Sequence, residues 1–170
     1  PRLASFDGLN RVVHIGSFSK SLSASVRCGF IAAPREWIEG LTDLKIATSF
    51  GNGRLSSELV LTLLKDGSYR KHMETVCARL SRAMSNTIAR LKTIGITPWI
   101  DQQAGMFLWC TLPDVIDAAT VARKALAANV VLAPGNAFSL SQTAGGFLRF
   151  NVAQSDDKRI YEVLETVMKQ

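Results

Sequence analysis

Gly16-Ser17-Phe18-Ser19-Lys20-Ser21-Leu22-Ser23-Ala24-Ser25-Val26-Arg27-Cys28-Gly29-Phe30-Ile31-Ala32-Ala33 is the stretch on which the reading of this chain turns. Residues 11–16 lead into it as a short buried strand, β-branched residues ended by glycine. Residues 28–33 read as a second strand, stopped by Pro34. A serine-rich loop joins the two. A lysine directly after an apolar strand and a serine loop is awkwardly placed for a surface charge. The amine of Lys20 is therefore expected near the end of a buried sheet. An amine desolvated there and flanked by cations gives up its proton more readily and becomes a nucleophile. Such a lysine forms Schiff bases with carbonyl compounds. Arg27 offers a fork of donors suited to a phosphate, and the hydroxyls of Ser17 and Ser19 can add hydrogen bonds. On these residues alone, a loop lysine and an unrelated salt-bridging arginine remain an equal alternative.

Outward from this stretch, Pro34 suits the first turn of a helix with Trp37, Ile38 and Leu41 on one face. Residues 55–65 place Leu55, Leu59, Leu63 and Leu64 in helical phase, with Gly67 as a stop. A long amphipathic helix is predicted from about Ser68 to Thr93. Its stripe of Met73, Val76, Cys77, Leu80, Met84, Ile88 and Leu91 reads as core packing, and Gly95 ends it. Strand-like pieces follow at 97–100, 106–111, 130–133 and 146–152. Asp114 is expected to cap a helix through Ala128, and Ser155 to cap the last helix, whose start Asp156 and Asp157 favour. Strands and helices alternate, so the fold class is α/β, turning to α+β in the C-terminal part. A domain boundary is expected inside the long helix, dividing 1–78 from 79–170.

Composition bounds the function. The 170 residues carry 47% apolar and 20% charged side chains, which excludes a disordered or collagen-like chain. No apolar run reaches the roughly 18 residues of a membrane span. The first residues are not a signal peptide. Residues 1–100 hold 14 basic and 7 acidic side chains, and 101–170 hold 6 and 7. The basic residues are scattered singly or in the isolated pairs Arg70-Lys71, Arg123-Lys124 and Lys158-Arg159, which reads as a solvated surface rather than a nucleic-acid stripe. Cys28, Cys77 and Cys110 are far apart and odd in number, so neither a disulfide framework nor a zinc site is expected; the chain reads as cytoplasmic. Cys28 and Cys110 read as buried small hydrophobes. His14 reads as a satisfied histidine within a strand. Neither His14 nor His72 has a metal-like partner, so no metal is expected.

Ser17-Phe18-Ser19-Lys20, then Arg27 and Gly29-Phe30-Ile31-Ala32, resembles the cofactor-lysine segment of the fold-type I aminotransferases, which depend on pyridoxal phosphate. Other landmarks follow in the family's order. Gly105-Met106-Phe107-Leu108-Trp109 looks like its small-domain hairpin strand. Val131 to Phe138 is similar to its VxPGxxF segment. Phe147-Leu148-Arg149-Phe150-Asn151 resembles the segment whose arginine grips a substrate α-carboxylate. The resemblance covers nearly the whole chain. It implies the C-terminal portion of the pyridoxal-phosphate transferase fold: the end of the large-domain sheet, a connecting helix and a small α+β domain. It implies that Lys20 holds the cofactor as a Schiff base and moves the proton of transamination. Arg27, Ser17 and Ser19 are implied to bind the cofactor phosphate, and Arg149 an amino-acid carboxylate.

The family's Gly-rich phosphate loop, ring-stacking aromatic and pyridine-pairing Asp have no matching positions in this sequence. The chain, which lacks a starting methionine, is expected to be part of something longer, and to bind pyridoxal phosphate weakly or not at all by itself. Two function classes share the motifs. One is the effector domain of a MocR-type regulator of the GntR family, sensing an amine or amino acid through Lys20, with DNA contacted only by a further N-terminal domain. The other is a free-standing amino-acid aminotransferase. The wording of residues 16–25 and 58–80 is similar to the regulator branch, and residues 69–73 to helix starts in the aminoadipate and kynurenine transaminase branch and in those regulators. A homodimer is expected of the parent, and no membrane partner.

Overall fold

The computed structural model describes residues 2–113 and 116–169. The chain divides into two compact units, residues 1–74 and 75–170, with the division inside the long helix.

The first unit begins with a short helix, α1 (Leu3–Asp7), closed by Gly8 in the left-handed conformation. Strands β1 (His14–Ser17) and β2 (Gly29–Ala32) then pair antiparallel, His14 opposite Ala32 and Ser17 opposite Gly29. Helices α2 (Arg35–Ser49) and α3 (Arg54–Lys65) follow, and α4 (Ser68–Thr93) starts here. Pro34 stands at the N-cap of α2. Gly67, with φ +77°, and Asp66 separate α3 from α4; Asp66 accepts a hydrogen bond from the Ser68 backbone N–H, which holds its carboxyl below the usual range.

The expectation of buried strands is corrected here. β1 and β2 form a two-stranded ribbon, and Ile15 in β1 is 71% exposed. A two-stranded ribbon has one paired edge per strand and shields little of either face. The helices form as the periodicity predicts, yet Trp37, Leu44, Leu55 and Leu59 on them remain exposed. Among the described residues of this unit only Phe18 and Val60 are buried apolar side chains.

The second unit has the core. Its sheet is antiparallel in the order β3-β4-β6-β5, with β3 (Thr97–Pro98), β4 (Phe107–Thr111), β5 (Ala133–Pro134) and β6 (Phe147–Asn151). β4 and β6 alternate in burial with period two, so one face carries Leu108, Cys110, Leu148 and Phe150 inward. That face joins Met84 and Leu91 of α4, Val121 of α5 (Ala118–Ala127) and Leu164 of α6 (Lys158–Met168) in one cluster. The stripe along α4 is thus core only in its C-terminal half, where Leu80 and Ile88 also pack on the cluster; Cys77 is exposed. Cys110 is buried, which pushes its thiol up to about 12, whereas Cys28 is only half-buried. Among the described residues no helix is long and apolar enough to cross a membrane, and no group of His, Cys, Asp and Glu could hold a metal ion.

Two expected caps move. Asp114 lies outside the described residues, and α5 is capped by Asp117, whose carboxylate accepts from the backbone N–H and the hydroxyl of Thr120, each at 2.8 Å. The last helix is capped by Asp157, not Ser155. Ser155 is buried, and its hydroxyl turns back to donate to the Asn151 carbonyl, so it closes the strand end rather than opening the helix. The Thr120 bonds hold the Asp117 carboxyl below its ordinary value of 3.8. Asp117→Ala should therefore lower the stability of this unit by about 1 kcal/mol near neutral pH. A depressed carboxyl stabilises above its unfolded pKa. The difference between the proteins should narrow as pH falls below 3.8, and thermal melts across that range check it.

Candidate functional site

The candidate residues fall into two groups, one in each unit. In the first, β1 ends at Ser17 opposite Gly29, and a Cβ at Gly29 would stand 2.7 Å from the Gly16 carbonyl oxygen. Glycine is what lets the two strands close at this end. The loop then turns on its own serines. Ser17 Oγ accepts from the Ser19 N–H, and Ser23 Oγ accepts from the Ser25 N–H, each at 3.2 Å. The Ser17 hydroxyl proton stays available to a ligand. Phe18 is buried, 6.0 Å from the Phe30 ring and edge-on to Tyr69 at 5.5 Å, and it pins the start of the loop.

Lys20 stands on this loop with its side chain exposed. The desolvated amine expected from the sequence is not provided by the described residues, because the ribbon beside it is open rather than part of a covered sheet. Arg27 adopts φ +48°, a left-handed conformation that costs a non-glycine residue on the order of 1–2 kcal/mol. Among the described residues neither Lys20 nor Arg27 has an acidic partner. Ser17, Ser19, Lys20 and Arg27 thus share one end of one ribbon, with cations and hydroxyl donors unspent. This donor set fits an anionic aldehyde: the amine for the carbonyl, the guanidinium and hydroxyls for a phosphate. His14 is occupied elsewhere, its Nε2 accepting from the Arg2 guanidinium at 2.9 Å.

The second group lies on the face of the four-stranded sheet opposite the core. Arg149 sits on β6 between Trp109 of β4 and Ala133 of β5. Its guanidinium carbon lies 3.9 Å from the Phe138 ring centre and 4.5 Å from that of Phe107. Both phenyl rings therefore lie within cation–π distance of the guanidinium. Phe138 is held by the turn that starts at Pro134. A Cβ at Gly135 would collide with the Ala144 carbonyl oxygen, and Asn136 Oδ1 accepts from the Ala144 N–H at 2.9 Å. Trp109 touches Phe138 edge-on and stacks on Phe147, extending the aromatic surface. A cavity of about 270 Å³ opens beside Arg149, lined also by Phe107, Leu132, Asn151 and Ser155. Arg149 has no carboxylate partner among the described residues, so the structural ion pair that could have explained it is not formed.

Sequence reasoning named Arg149 but not its two rings. The strand alternation could have found Phe107, which shares the face of Arg149; Phe138 comes from a turn with no periodicity, and only the fold brings it there.

A model of the family "Aminotransferase class I and II" matches residues 3–167. Among curated proteins the chain is 28% identical over 167 residues to the uncharacterized HTH-type transcriptional regulator YdfD of Bacillus subtilis, covering 95% of this chain and 34% of that protein. It is also 28% identical over 163 residues to aromatic-amino-acid aminotransferase 1 of Thermococcus litoralis, covering 94% and 39%. Among solved structures it is similar to LysN, the α-aminoadipate aminotransferase of Thermus thermophilus complexed with N-(5'-phosphopyridoxyl)-L-leucine. The TM-score is 0.81 and the identity 30%, over 98% of this chain and 44% of that one. The chain spans about a third of the length of the curated relatives it matches.

Proposed function

Because the chain belongs to the class I and II aminotransferase family, we propose that it is the aminotransferase-like domain of a MocR-type transcriptional regulator of the GntR family, sensing an amine or amino acid with pyridoxal phosphate. The observation that carries the binding half of this reading is the pair of unspent cationic sites, Lys20 with Arg27 and the stacked Arg149. The regulator half is supported by the HTH-type relative that spans 95% of the chain. In this reading residues 1–78 are the C-terminal part of the cofactor-binding domain with its connecting helix, and 79–170 the small domain.

Each residue has a task its chemistry suits. Lys20 presents a primary amine to the cofactor carbonyl and holds the proton at Nζ. Arg27, with the Ser17 and Ser19 hydroxyls, takes the phosphate, where a planar fork and short hydroxyl donors match the oxygens. Arg149 takes the ligand carboxylate. When bound, the cofactor supplies an electron sink at the amine-bearing carbon. The parent is a cytoplasmic homodimer that contacts DNA through a winged helix-turn-helix outside these residues, and changes operator affinity when the amine binds.

A second reading, a free-standing amino-acid aminotransferase, is favoured by the Thermococcus and Thermus likenesses. The intact mass of the natural gene product separates the two. A mass with room for an aminotransferase alone favours the enzyme, and one larger by a small DNA-binding domain favours the regulator. In the regulator, Lys20→Ala should abolish the amine-dependent change in operator binding, measured by titration of labelled DNA with cofactor and amine present. Unchanged ligand dependence would remove Lys20 from the proposal. In the enzyme the same substitution should abolish transamination.

A further inference from the structure

Ser21, the residue after Lys20, is gripped from the start of α4. Tyr69 donates its hydroxyl to Ser21 Oγ at 3.0 Å. His72 Nε2 lies 2.7 Å from the Ser21 carbonyl oxygen. A carbonyl only accepts, so Nε2 carries the proton and His72 is the donor. Tyr69 and His72 are spaced i, i+3 and therefore face the same side of the helix. The loop closes on itself at the same point: the Ser21 and Leu22 N–H groups both donate to the Phe18 carbonyl, at 3.3 and 2.8 Å. Phe18 is in turn buried against Tyr69. The backbone on both sides of Lys20 is thus tied down, while its amine is left free.

We propose that Tyr69 and His72 are positioning residues for Lys20: by holding Ser21 they fix the loop and the direction in which the amine is presented. The proposal rests on the reading of Lys20 as the cofactor lysine, and it extends that reading to two residues that act on Lys20 through Ser21. A lysine has four rotatable bonds, and fixing its backbone removes much of the space its amine would otherwise search. The serine-rich loop supplies little of that order itself, because the Ser17 and Ser23 oxygens accept only within turns two residues long. The two tethers reach across 48 and 51 residues and replace what the loop lacks.

The test uses the natural gene product, unsubstituted as the parent and with Tyr69→Phe, His72→Ala and His72→Gln. Three quantities are read: hydrogen exchange of the Ser21 and Leu22 amides, the rate of tryptic cleavage after Lys20, and the share of borohydride-trapped pyridoxal phosphate found on Lys20 against exposed Lys45. Tyr69→Phe and His72→Ala should each speed exchange and cleavage several-fold and lower the Lys20 share. His72→Gln, which keeps an N–H donor, should return all three toward the parent values. Exchange and cleavage unchanged in His72→Ala, or as fast in His72→Gln as in His72→Ala, would overturn the positioning role. If His72→Ala unfolds the first unit, Tyr69→Phe and Ser21→Ala, each lacking one hydroxyl, decide by the same readings. Equal labelling of Lys20 and Lys45 in the parent chain strikes at the cofactor-lysine reading instead, while exchange and cleavage still judge the tether.

Discussion

Arg149→Lys is expected to weaken binding of a carboxylate ligand by about tenfold to a hundredfold, even though the charge is kept. Hydrogen bonds to charged groups contribute about 1.5–3 kcal/mol each, and tenfold corresponds to about 1.4 kcal/mol. The loss follows from shape. The guanidinium carbon lies 3.9 Å from the Phe138 ring centre and 4.5 Å from that of Phe107, and a planar fork can offer two parallel N–H groups to one carboxylate. An ammonium is a compact, strongly hydrated point charge that neither packs on aromatic rings as a planar guanidinium does nor offers a fork. The comparison that isolates the effect uses two ligands in the natural gene product, an amino acid and the amine left by removing its carboxylate. Affinity for the first should fall and affinity for the second should hardly change. Equal losses for both would mean that Arg149 supports the sheet and does not read the carboxylate.

Leu148→Ala should cost the second unit about 2–5 kcal/mol. Leu148 is fully buried on β6, paired with Cys110 on one side and Pro134 on the other. Truncation there removes buried methyl groups and leaves a cavity among side chains that cannot all collapse into it. For a unit of this size each kcal/mol lowers the melting temperature by about 4–8 °C, so a fall of about 10 °C or more is expected by calorimetry. Leu55→Ala, at a side chain 85% exposed, should by contrast stay within about 0.5 kcal/mol. Similar melting temperatures for the two variants would show that the cluster around Leu148 is not what holds this unit together.

The contrast between these leucines shows where the sequence could be read. Leu148 and Leu55 are the same residue in equally regular patterns, one in a strand of period two and one in a helix of period 3.6. Periodicity told which side of an element is apolar, and it gave α4 as Ser68–Thr93 to the residue, with Gly67 and Gly95 at its ends. It could not tell whether another layer lies against that side. In the second unit the layer is present, and Leu108, Leu148 and Leu164 are fully buried. In the first, β1 and β2 have only each other, and Ile15 stays exposed. The expectation of a desolvated Lys20 came from the same step and met the same outcome.

Residue chemistry and order along the chain were enough to pick out Lys20, Arg27 and Arg149 as unusual, and the family model matches over residues 3–167. They are local, and a one-dimensional string carries local spacing faithfully. Caps were legible only as residue types: Asp117 and Asp157 took positions for which Asp114 and Ser155 had equal chemical claims, because a hydrogen bond of 2.8 or 2.9 Å depends on where the helix starts in space. What tertiary structure alone decided are the meetings of residues apart in sequence: Phe138 and Phe107 beside the Arg149 guanidinium, and Tyr69 and His72 on Ser21. Those partners are separated by 11 to 51 residues and share no period. Packing, which acts through distance in space and not along the chain, is what brings them together.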